Sequence, residues 1–340
     1  MSILHVTNGD SARVLLERSG VPGIVMAWAD VLHEGPTPLA SGAPWLEARA
    51  RYFTPAGGDH PPDAFAEEFL RAYRDNDARL EAFADHDEVI FWFEHDLFDQ
   101  LLLIRHLWWM GERGARTARV ATRFSLVCGS DYLGMLRPAE FPPLFETRQP
   151  ITAAQIDLGT RAWQAFTAAD PMGLVPLAAA DHAELPFLRG AVRRHLEEFP
   201  AAGNGLARSE RQILEVLSEG PRTPEEAFVE ASRLEEHIFM GDLSFGTIVR
   251  RLSGGPRPLI TAHVQPRPGR LPAGTLVLTA DGAAVLAGRA DHVALNGVDR
   301  WLGGVRLVAG SRTAPTSTRL WRWTGSTLTP SSPSPLPPAS

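Results

Sequence analysis

Acidic and imidazole side chains follow each of three short apolar runs in the first hundred residues. In chain order, these side chains and their neighbours are Asn8, Gly9, Asp10 and Ser11, then Asp30, His33 and Glu34, then Glu94, His95, Asp96 and Asp99. A carboxylate or imidazole whose pKa lies near neutrality can transfer protons, and carboxylates also bind hydroxyls, amines or divalent cations. The pattern therefore predicts a binding or catalytic site assembled from three loops.

Residue type and neighbours predict the role of each side chain. The candidates for acid/base chemistry are His33, Glu34, Glu94, His95 and Asp96, because each imidazole adjoins a carboxylate. The candidates for ligand binding are Asn8, Gly9, Asp10, Ser11, Asp30, Asp99 and, from a later helix, Arg194. A structural role stays open for several of them. Gly9 fits a tight turn, Asp10 or Ser11 can cap the following helix, and Arg194 can pair with Glu198.

The charge of these loops restricts the ligand. Several carboxylates in one crevice repel a bare phosphate unless arginine or a metal ion offsets them. The loops therefore suit ribose-like hydroxyls, an amine, or a divalent cation that bridges to phosphate. Mg²⁺, Mn²⁺ and Zn²⁺ all accept such ligands, but the chain has no His-Glu-x-x-His spacing, so we assign no metal and no particular cofactor.

Two residue counts exclude whole classes of chemistry. All 33 Lys and Arg positions are arginine, so the chain has neither a P-loop lysine nor a Schiff-base lysine. The single cysteine, Cys128, cannot form an internal disulfide or a thiolate metal site by itself. It ends a β-like run, and we interpret it as a packed side chain in a cytoplasmic protein.

The segments between these loops alternate between strand and helix patterns. The strand-like runs are ILHVT, GIVMAW, EVIFWFE and ARVATRFSLVC, and the helix-like segments lie at residues 11–18, 65–83 and 97–114. EVIFWFE lacks polar alternation, which is typical of a strand covered on both faces. Alternating strands and helices predict a Rossmann-like α/β domain with a parallel sheet in the order 2-1-3-4. In that order the three loops are neighbours at the carboxyl edge.

The remainder of the chain has a different organisation. The predicted domains are the Rossmann-like domain at 1–137, a helical connector at 138–205 with a hinge at 201–205, a winged-helix-like α+β domain at 206–308, and a mostly disordered tail at 309–340. Three helical patterns, a capping box from Thr223 to Glu226 and two strand-like runs support the winged-helix prediction. The Pro- and Ser-rich composition of the last residues supports the disordered tail.

Charge differs between the two halves of the chain. Residues 1–199 carry a net charge of −10 and residues 200–340 carry +3, which together give the −7 of the whole chain. The basic half permits contact with nucleic acid without requiring it. The candidate recognition helix begins with Asp242, and Arg250 and Arg251 come only near its end, so it is poorly equipped to read DNA. No apolar run is long enough to cross a bilayer, so we expect no membrane partner.

Six stretches of the chain together resemble a bacterial family. They are LHVTNGDSA, WADVLHEGP, WFEHDLFDQLLLI, RRHLEEFPAAGNGLARSERQIL, FMGDLSF and ALNGVDRWLGG. They are similar to the family described as domain of unknown function 1835, together with the C-terminal region that often accompanies it. The resemblance spans residues 3–307 and implies no reaction, ligand or catalytic residue.

These observations favour a protein that binds a small polar molecule, nucleotide- or sugar-like, at the carboxyl ends of the first three strands. An enzyme that uses carboxylates and histidine for acid/base chemistry is one form of this hypothesis. The alternative is a DNA-binding regulator, in which the winged helix contacts DNA and the first domain senses an effector.

Overall fold

The structure is a computed structural model that describes residues 1–53, 62–114, 121–267, 270–310 and 320–331, with the backbone alone for 62–69. The chain divides into two compact units, Met1–Val192 and Arg193–Ser340. It is a mixed α/β protein whose largest sheet has five mostly parallel strands. Among the described residues, no helix combines the length and apolar character needed to cross a membrane.

The first unit alternates strands and helices over most of its length. Its elements are β1 (Ile3–Thr7), α1 (Asp10–Glu17), β2 (Ile24–Ala27), α2 (Ala43–Phe53), α3 (Pro62–Glu81), β3 (Glu88–Phe93), α4 (Leu97–Glu112), β4 (Arg123–Cys128), α5 (Phe141–Glu146), β5 (Gln149–Pro150), α6 (Ala153–Thr167), α7 (Leu174–Ala179) and α8 (Leu188–Leu196). The last of these helices crosses the division between the units. The predicted fourth strand is confirmed over Arg123–Cys128, and residues 118–120 of that prediction lie outside the described residues.

The sheet of the first unit has the order β2-β1-β3-β4-β5. The first four strands are parallel, which confirms the predicted order, and β5 is a short antiparallel addition at the edge. Thr7 pairs with both Ala27 and Trp92, and Phe93 pairs with Cys128. Because the strands end level with one another, the loops after β1, β2, β3 and β4 all leave the same edge of the sheet.

The buried core of the first unit lies around β3 and helices α4 and α6. Every residue of β3 is buried, in agreement with its unbroken apolar pattern. The helix α4 is buried on nearly all sides, and α6 approaches it closely at Gly159. A Cβ at Gly159 would lie 2.4 Å from the Cβ of Leu107, so only glycine allows this contact. The rigid placement of α4 fixes its first turn at the edge of the sheet.

The second unit begins with helices and ends in hairpins. Its elements after α8 are α9 (Arg208–Ser218), α10 (Pro224–Ser232), α11 (Asp242–Ser253), β6 (Ile260–Arg267), β7 (Arg270–Leu278), α12 (Ala280–Leu286), α13 (His292–Asn296), β8 (Val298–Leu302), β9 (Val305–Ala309), β10 (Leu320–Trp323) and β11 (Leu328–Ser331). Three antiparallel pairs form, β6 with β7, β8 with β9, and β10 with β11. One hydrophobic core joins α9, α10, α11 and the β6–β7 hairpin.

Local signals in the second unit correspond closely to the structure. Thr223 caps α10 by accepting a hydrogen bond from the Glu226 amide, and the Glu226 carboxylate accepts one from the Thr223 amide, as predicted. Helix α11 ends at Gly254, also as predicted. The strands of the β6–β7 hairpin extend further into the Pro- and Gly-rich connection than the sequence indicated, because backbone pairing with a partner strand overrides local propensity.

Two segments differ from their predicted description. The segment at 201–205 lies within the second unit, where the Ala202 amide donates to the Trp323 carbonyl and the Asn204 side chain donates to the Val285 carbonyl. In the predicted tail, residues 320–331 form a hairpin that buries Leu320 and Leu328. Residues 311–319 and 332–340 of that tail lie outside the described residues.

Candidate functional site

The loops after β1, β3 and β4 meet through the carboxylate of Glu94. Its Oε1 accepts a hydrogen bond from Asn8 Nδ2 at 2.8 Å and another from the Leu133 amide at 2.8 Å. The same Asn8 Nδ2 donates to Asp99 Oδ2 at 2.9 Å. Asn8 follows β1, Glu94 follows β3, and Leu133 follows β4. Three of the parallel strands therefore contribute to one polar site at the carboxyl edge of the sheet.

Hydrogen bonds from its own side chains hold the turn from β3 into α4. Asp96 is the N-cap of α4, and its Oδ1 accepts a hydrogen bond from the Asp99 amide at 3.2 Å. Asp99 Oδ1 reaches back to accept from the Glu94 amide at 2.8 Å. Gln100 Nε2 donates to the Glu94 carbonyl at 2.6 Å. These bonds hold three carboxyl groups at the start of one helix.

Glu94, Asp96 and Asp99 form a group that we call the carboxylate cluster. Each offers an oxygen within 4.8 Å of the others, and their relative exposures are 5%, 3% and 1%. Burial raises the pKa of Glu94. Burial, and secondarily the charge of Glu94, raises the pKa of Asp96 to about 7. Burial and both neighbouring carboxylates raise the pKa of Asp99 well above its ordinary range. Burial therefore favours the protonated form of all three carboxyl groups.

This arrangement permits two kinds of chemistry. A carboxyl group whose pKa is about 7 is half protonated at neutral pH and can act as an acid or a base, which singles out Asp96. The same three residues could alternatively share a divalent cation through their oxygens, in which case the cation would displace the protons. In both cases the hydrogen bonds from Asn8 and Leu133 orient Glu94.

The first turn of α1 lies beside Asn8 and differs from its predicted geometry. The N-cap is Gly9, and no side chain caps this helix, so the prediction that Asp10 or Ser11 is the cap is wrong. Asp10 is exposed and pairs with Arg13 at 2.9 Å, and Ser11 is exposed. The backbone of Gly9 is extended (φ 172°), so the predicted tight turn is wrong too. Space is open where a Cβ would stand on Gly9.

The loop after β2 is organised by a buried ion pair. Arg49, on α2, donates from Nε to Asp30 Oδ2 at 2.9 Å, and its other nitrogens donate to carbonyls in the loop, including that of Glu34 at 2.6 Å. Tyr52 donates to Glu34 Oε2 at 3.0 Å. His33 Nε2 lies 3.9 Å from Glu34 Oε1. Asp30 thus anchors a helix to the loop, and His33 and Glu34 form a second polar group.

His33 and His95 both contact aromatic rings. The His33 ring lies 6.3 Å from the ring of Phe98 on α4, which places the second loop against the helix of the third. The His95 ring lies 5.1 Å from Tyr132 and 5.9 Å from Phe187. Both imidazoles are buried. Both imidazoles therefore pack against aromatic rings of the first unit.

A cavity of about 400 Å³ lies beside α4 and the end of β4, and none of its lining residues belongs to the carboxylate cluster. It is lined in part by Gln100, Cys128, Gln149, Gln155 and Phe187. The Cys128 thiol lies 3.7 Å from the Glu94 carbonyl. Burial raises the pKa of Cys128 to about 12, so the thiol stays protonated and does not act as a nucleophile at neutral pH. The cavity is large enough for a small polar molecule.

Arg194 lies in the second unit rather than at this site. It donates to Glu235 at 2.8 and 2.6 Å, to Glu198 at 2.7 Å and to Ser209 at 2.7 Å. The interpretation that it pairs with Glu198 is confirmed. Burial opposes ionisation of Glu198, but the charges of Arg194 and Arg300 more than offset that effect and lower its pKa to about 2. Arg194 is therefore the centre of a buried ion-pair network.

Sequence reasoning missed three contributors to the first unit. Arg49 donates hydrogen bonds to the loop after β2, and Gln100 donates one to the loop after β3. The backbone amide of Leu133 donates to the Glu94 carboxylate. Gln100 carried a signal, since it lies one turn into the helix that follows the acidic loop. The amide of Leu133 carried none, because a backbone donor is identical in every non-proline residue.

No protein-family model matches the chain, and no curated protein matches it in sequence. The resemblance to domain of unknown function 1835 therefore stays a prediction.

Proposed function

We propose that the first unit is Rossmann-like and binds a small polar ligand, nucleotide- or sugar-like, at the carboxyl edge of β1 and β3. The strand order β2-β1-β3-β4 supports this proposal, because ligands of open parallel sheets bind where the strand order reverses, which is here between β1 and β3. Asn8 and the carboxylate cluster lie at that point. Their convergence from distant positions in the chain is the observation that carries the proposal.

The two sides of the site suit different parts of one ligand. The carboxylate cluster can accept hydrogen bonds from hydroxyl or amine groups, or bind a divalent cation. The first turn of α1 presents backbone amides that no side chain caps, and such amides attract an anionic group. A ligand with hydroxyls and a phosphate, such as a nucleotide or a sugar phosphate, satisfies both sides.

Within this proposal, Asp96 is the leading acid/base residue. Its pKa of about 7 allows proton transfer at neutral pH, whereas Glu94 and Asp99 are held by several hydrogen bonds and position it. His33, Glu34 and His95 remain candidates for contact with the ligand around this centre. The single cysteine is consistent with a reducing, cytoplasmic location, and membership of the domain of unknown function 1835 family is part of the same proposal.

A DNA-binding regulator is the second candidate. The succession α9, α10, α11 and the β6–β7 hairpin around one core supports a winged-helix arrangement in the second unit. Helix α11 would then be the recognition helix. It begins with Asp242 and exposes Leu243 at its first turn, which favours a protein contact over a DNA phosphate. We therefore rank this candidate below ligand binding.

The proposal is tested with a ligand panel on the full chain. Thermal unfolding is measured with ribose, AMP and NAD, each with and without MgCl₂, for the native protein and for Asp96→Asn. The matched control is Asp170→Asn, which changes an exposed N-cap aspartate of the same unit.

We expect at least one ligand to raise the unfolding temperature of the native and control proteins, and Asp96→Asn to weaken that effect. Equal ligand-dependent stabilisation in all three proteins would show that the carboxylate cluster does not take part in ligand binding. Absence of stabilisation by every probe, combined with tight DNA binding that is lost on changing Arg250 and Arg251 to alanine, would favour the regulator.

A further inference from the structure

The second unit contains a cavity of about 300 Å³ with a strongly basic lining. Arg250 and Arg251 contribute from the last turns of α11, His292 contributes from α13, and Arg300 contributes from β8. All the lining residues belong to this unit, and the proposed function makes no use of them.

Arg300 is buried with one donor left unused. Only 9% of the residue is exposed. Its Nη1 donates to Glu210 at 3.1 Å and its Nη2 donates to the Glu198 carbonyl, but its Nε has no hydrogen-bond partner. A buried N–H without an acceptor is costly, and more so on a charged group. Arg300 is also one of the residues that line the cavity.

Arg251 adds a second guanidinium group with an unused donor. Its Nε is also buried without a hydrogen-bond partner, and no carboxylate in the described part of the chain lies within ion-pair distance of it. Burial, together with the nearby charge of Arg251, lowers the pKa of Arg300. The charge of Arg251 therefore opposes that of Arg300, and the carboxylates of Glu210 and Glu198 act in the other direction.

The acidic groups around the cavity do not neutralise it. Glu210 is already bound to Arg300, and Asp299 pairs with Arg306 at 3.2 Å. Arg250 donates to the Thr247 hydroxyl. The cavity therefore combines three guanidinium groups with two carboxylates, Glu210 and Asp299, that are both already engaged, and an anion would relieve the excess positive charge.

Glycine turns shape the wall of the cavity. Gly255 has a φ of +83°, and a Cβ there would lie 2.8 Å from Asn296 Oδ1. Asn296 clamps this turn, since its Oδ1 accepts from the Arg257 amide and its Nδ2 donates to the Arg257 carbonyl. Gly297, with a φ of +73°, lies so close to the Ala309 carbonyl that a Cβ would come within 2.6 Å. These close approaches and hydrogen bonds fix the backbone of the cavity wall.

We propose that this cavity binds the phosphoryl group of a small phosphate ester through Arg251 and Arg300, with Arg250 at the rim. A guanidinium group can donate two parallel hydrogen bonds to phosphate oxygens. A phosphate dianion can balance the charge of Arg251, which makes no ion pair among the described residues, beside the Arg300–Glu210 pair. The volume suits a molecule of the size of a sugar phosphate. A small phosphate ester suits this cavity better than a DNA duplex, because the phosphates of a duplex lie on a convex surface and Arg300 is only 9% exposed.

The test uses isothermal titration of the full chain with inorganic phosphate, ribose 5-phosphate and ribose. The variant is Arg251→Gln, which removes a cation that makes no ion pair in the described chain. The matched control is Arg233→Gln, which removes the same charge from an exposed position after α10. A second variant, Arg250→Gln, changes an exposed rim residue and carries the test if circular dichroism shows that Arg251→Gln does not fold.

We expect ribose 5-phosphate to bind and ribose not to compete with it. Arg251→Gln should weaken binding at least tenfold, and Arg233→Gln less than twofold. Equal affinity for the native protein and Arg251→Gln would overturn the proposal, as would an effect of phosphate that sodium chloride reproduces at equal ionic strength. Tight binding of duplex DNA that depends on Arg251, without binding of either phosphate probe, would also overturn it.

Discussion

Asp96→Asn should stabilise the protein at neutral and alkaline pH but leave its stability unchanged in acid. The folded protein holds the pKa of Asp96 at about 7, whereas an unfolded aspartate titrates near pH 3.9. A raised pKa means that the folded state binds the proton more tightly. The contribution of this group to stability is therefore fully present below about pH 3.9 and is lost as the pH rises through 7. The amide variant never ionises and avoids that loss.

The size of the effect follows from the two pKa values. Their separation is roughly 3 units, and each unit corresponds to about 1.4 kcal/mol, so the native protein loses about 4 kcal/mol between pH 4 and pH 8. The asparagine side chain keeps an oxygen to accept from the Asp99 amide and is itself a good N-cap. The cap is therefore preserved, and the difference between the two proteins reports the buried charge.

Urea unfolding at half-unit steps from pH 4.5 to pH 8.5 measures the difference. Tryptophan fluorescence is a suitable signal, because most of the nine tryptophans lie in the first unit. Asp170→Asn is the control, since it removes a carboxylate from an exposed N-cap that accepts from the Met172 amide. The advantage of Asp96→Asn should grow steadily up to about pH 7.5 and then level off. A difference that does not change with pH, or an equal slope in the Asp170 control, would refute the buried-charge argument.

Three further predictions concern other parts of the molecule. Gly9→Ala should leave the unfolding free energy unchanged or raise it by up to about 1 kcal/mol, because φ is extended and the Cβ position is open. The same substitution should weaken the binding of any ligand that contacts the first turn of α1. Calorimetry with and without ligand separates the effect on stability from the effect on binding. Glu198→Gln should destabilise the second unit by about 3–5 kcal/mol at pH 7. Because the folded pKa of Glu198 is lowered to about 2, that difference should shrink as the pH falls from about 4.3 towards 2, which acid-titrated denaturation curves would show, and a constant difference would contradict it. Arg49→Met should cost about 3–5 kcal/mol by leaving Asp30 buried without its partner, and Asp30→Asn in the same chain should restore part of the loss; urea midpoints that show no recovery would contradict this reading.

The secondary structure of the chain could be predicted from its sequence. The unbroken apolar run of β3, the alternation of strands with helices and the capping box at Thr223 each depend on residues within a few positions of one another. The order of the parallel strands followed because right-handed crossovers leave few arrangements. The acidic loops at the carboxyl edge were predictable for the same reason, since the ends of parallel strands meet at one edge.

Longer-range contacts decided what each of those side chains does. Asn8 and the Leu133 amide both bind Glu94, although they are 86 and 39 residues away from it. Asp30 was grouped with the site residues, but Arg49 holds it in a buried ion pair. The two-residue strand β5 and the β10–β11 hairpin are too short for periodicity to reveal.

The difference between what the sequence predicts and what only the tertiary structure decides has a simple physical origin. Helix and strand formation depend on backbone bonds and apolar spacing along the chain, which a sequence displays directly. The pKa of a carboxyl group depends on how much water surrounds it and which charges stand beside it, and both are set by residues far away in sequence. The composition of the loops therefore identified a set of acids, and only the fold determined that burial raises the pKa of Asp96 to about 7.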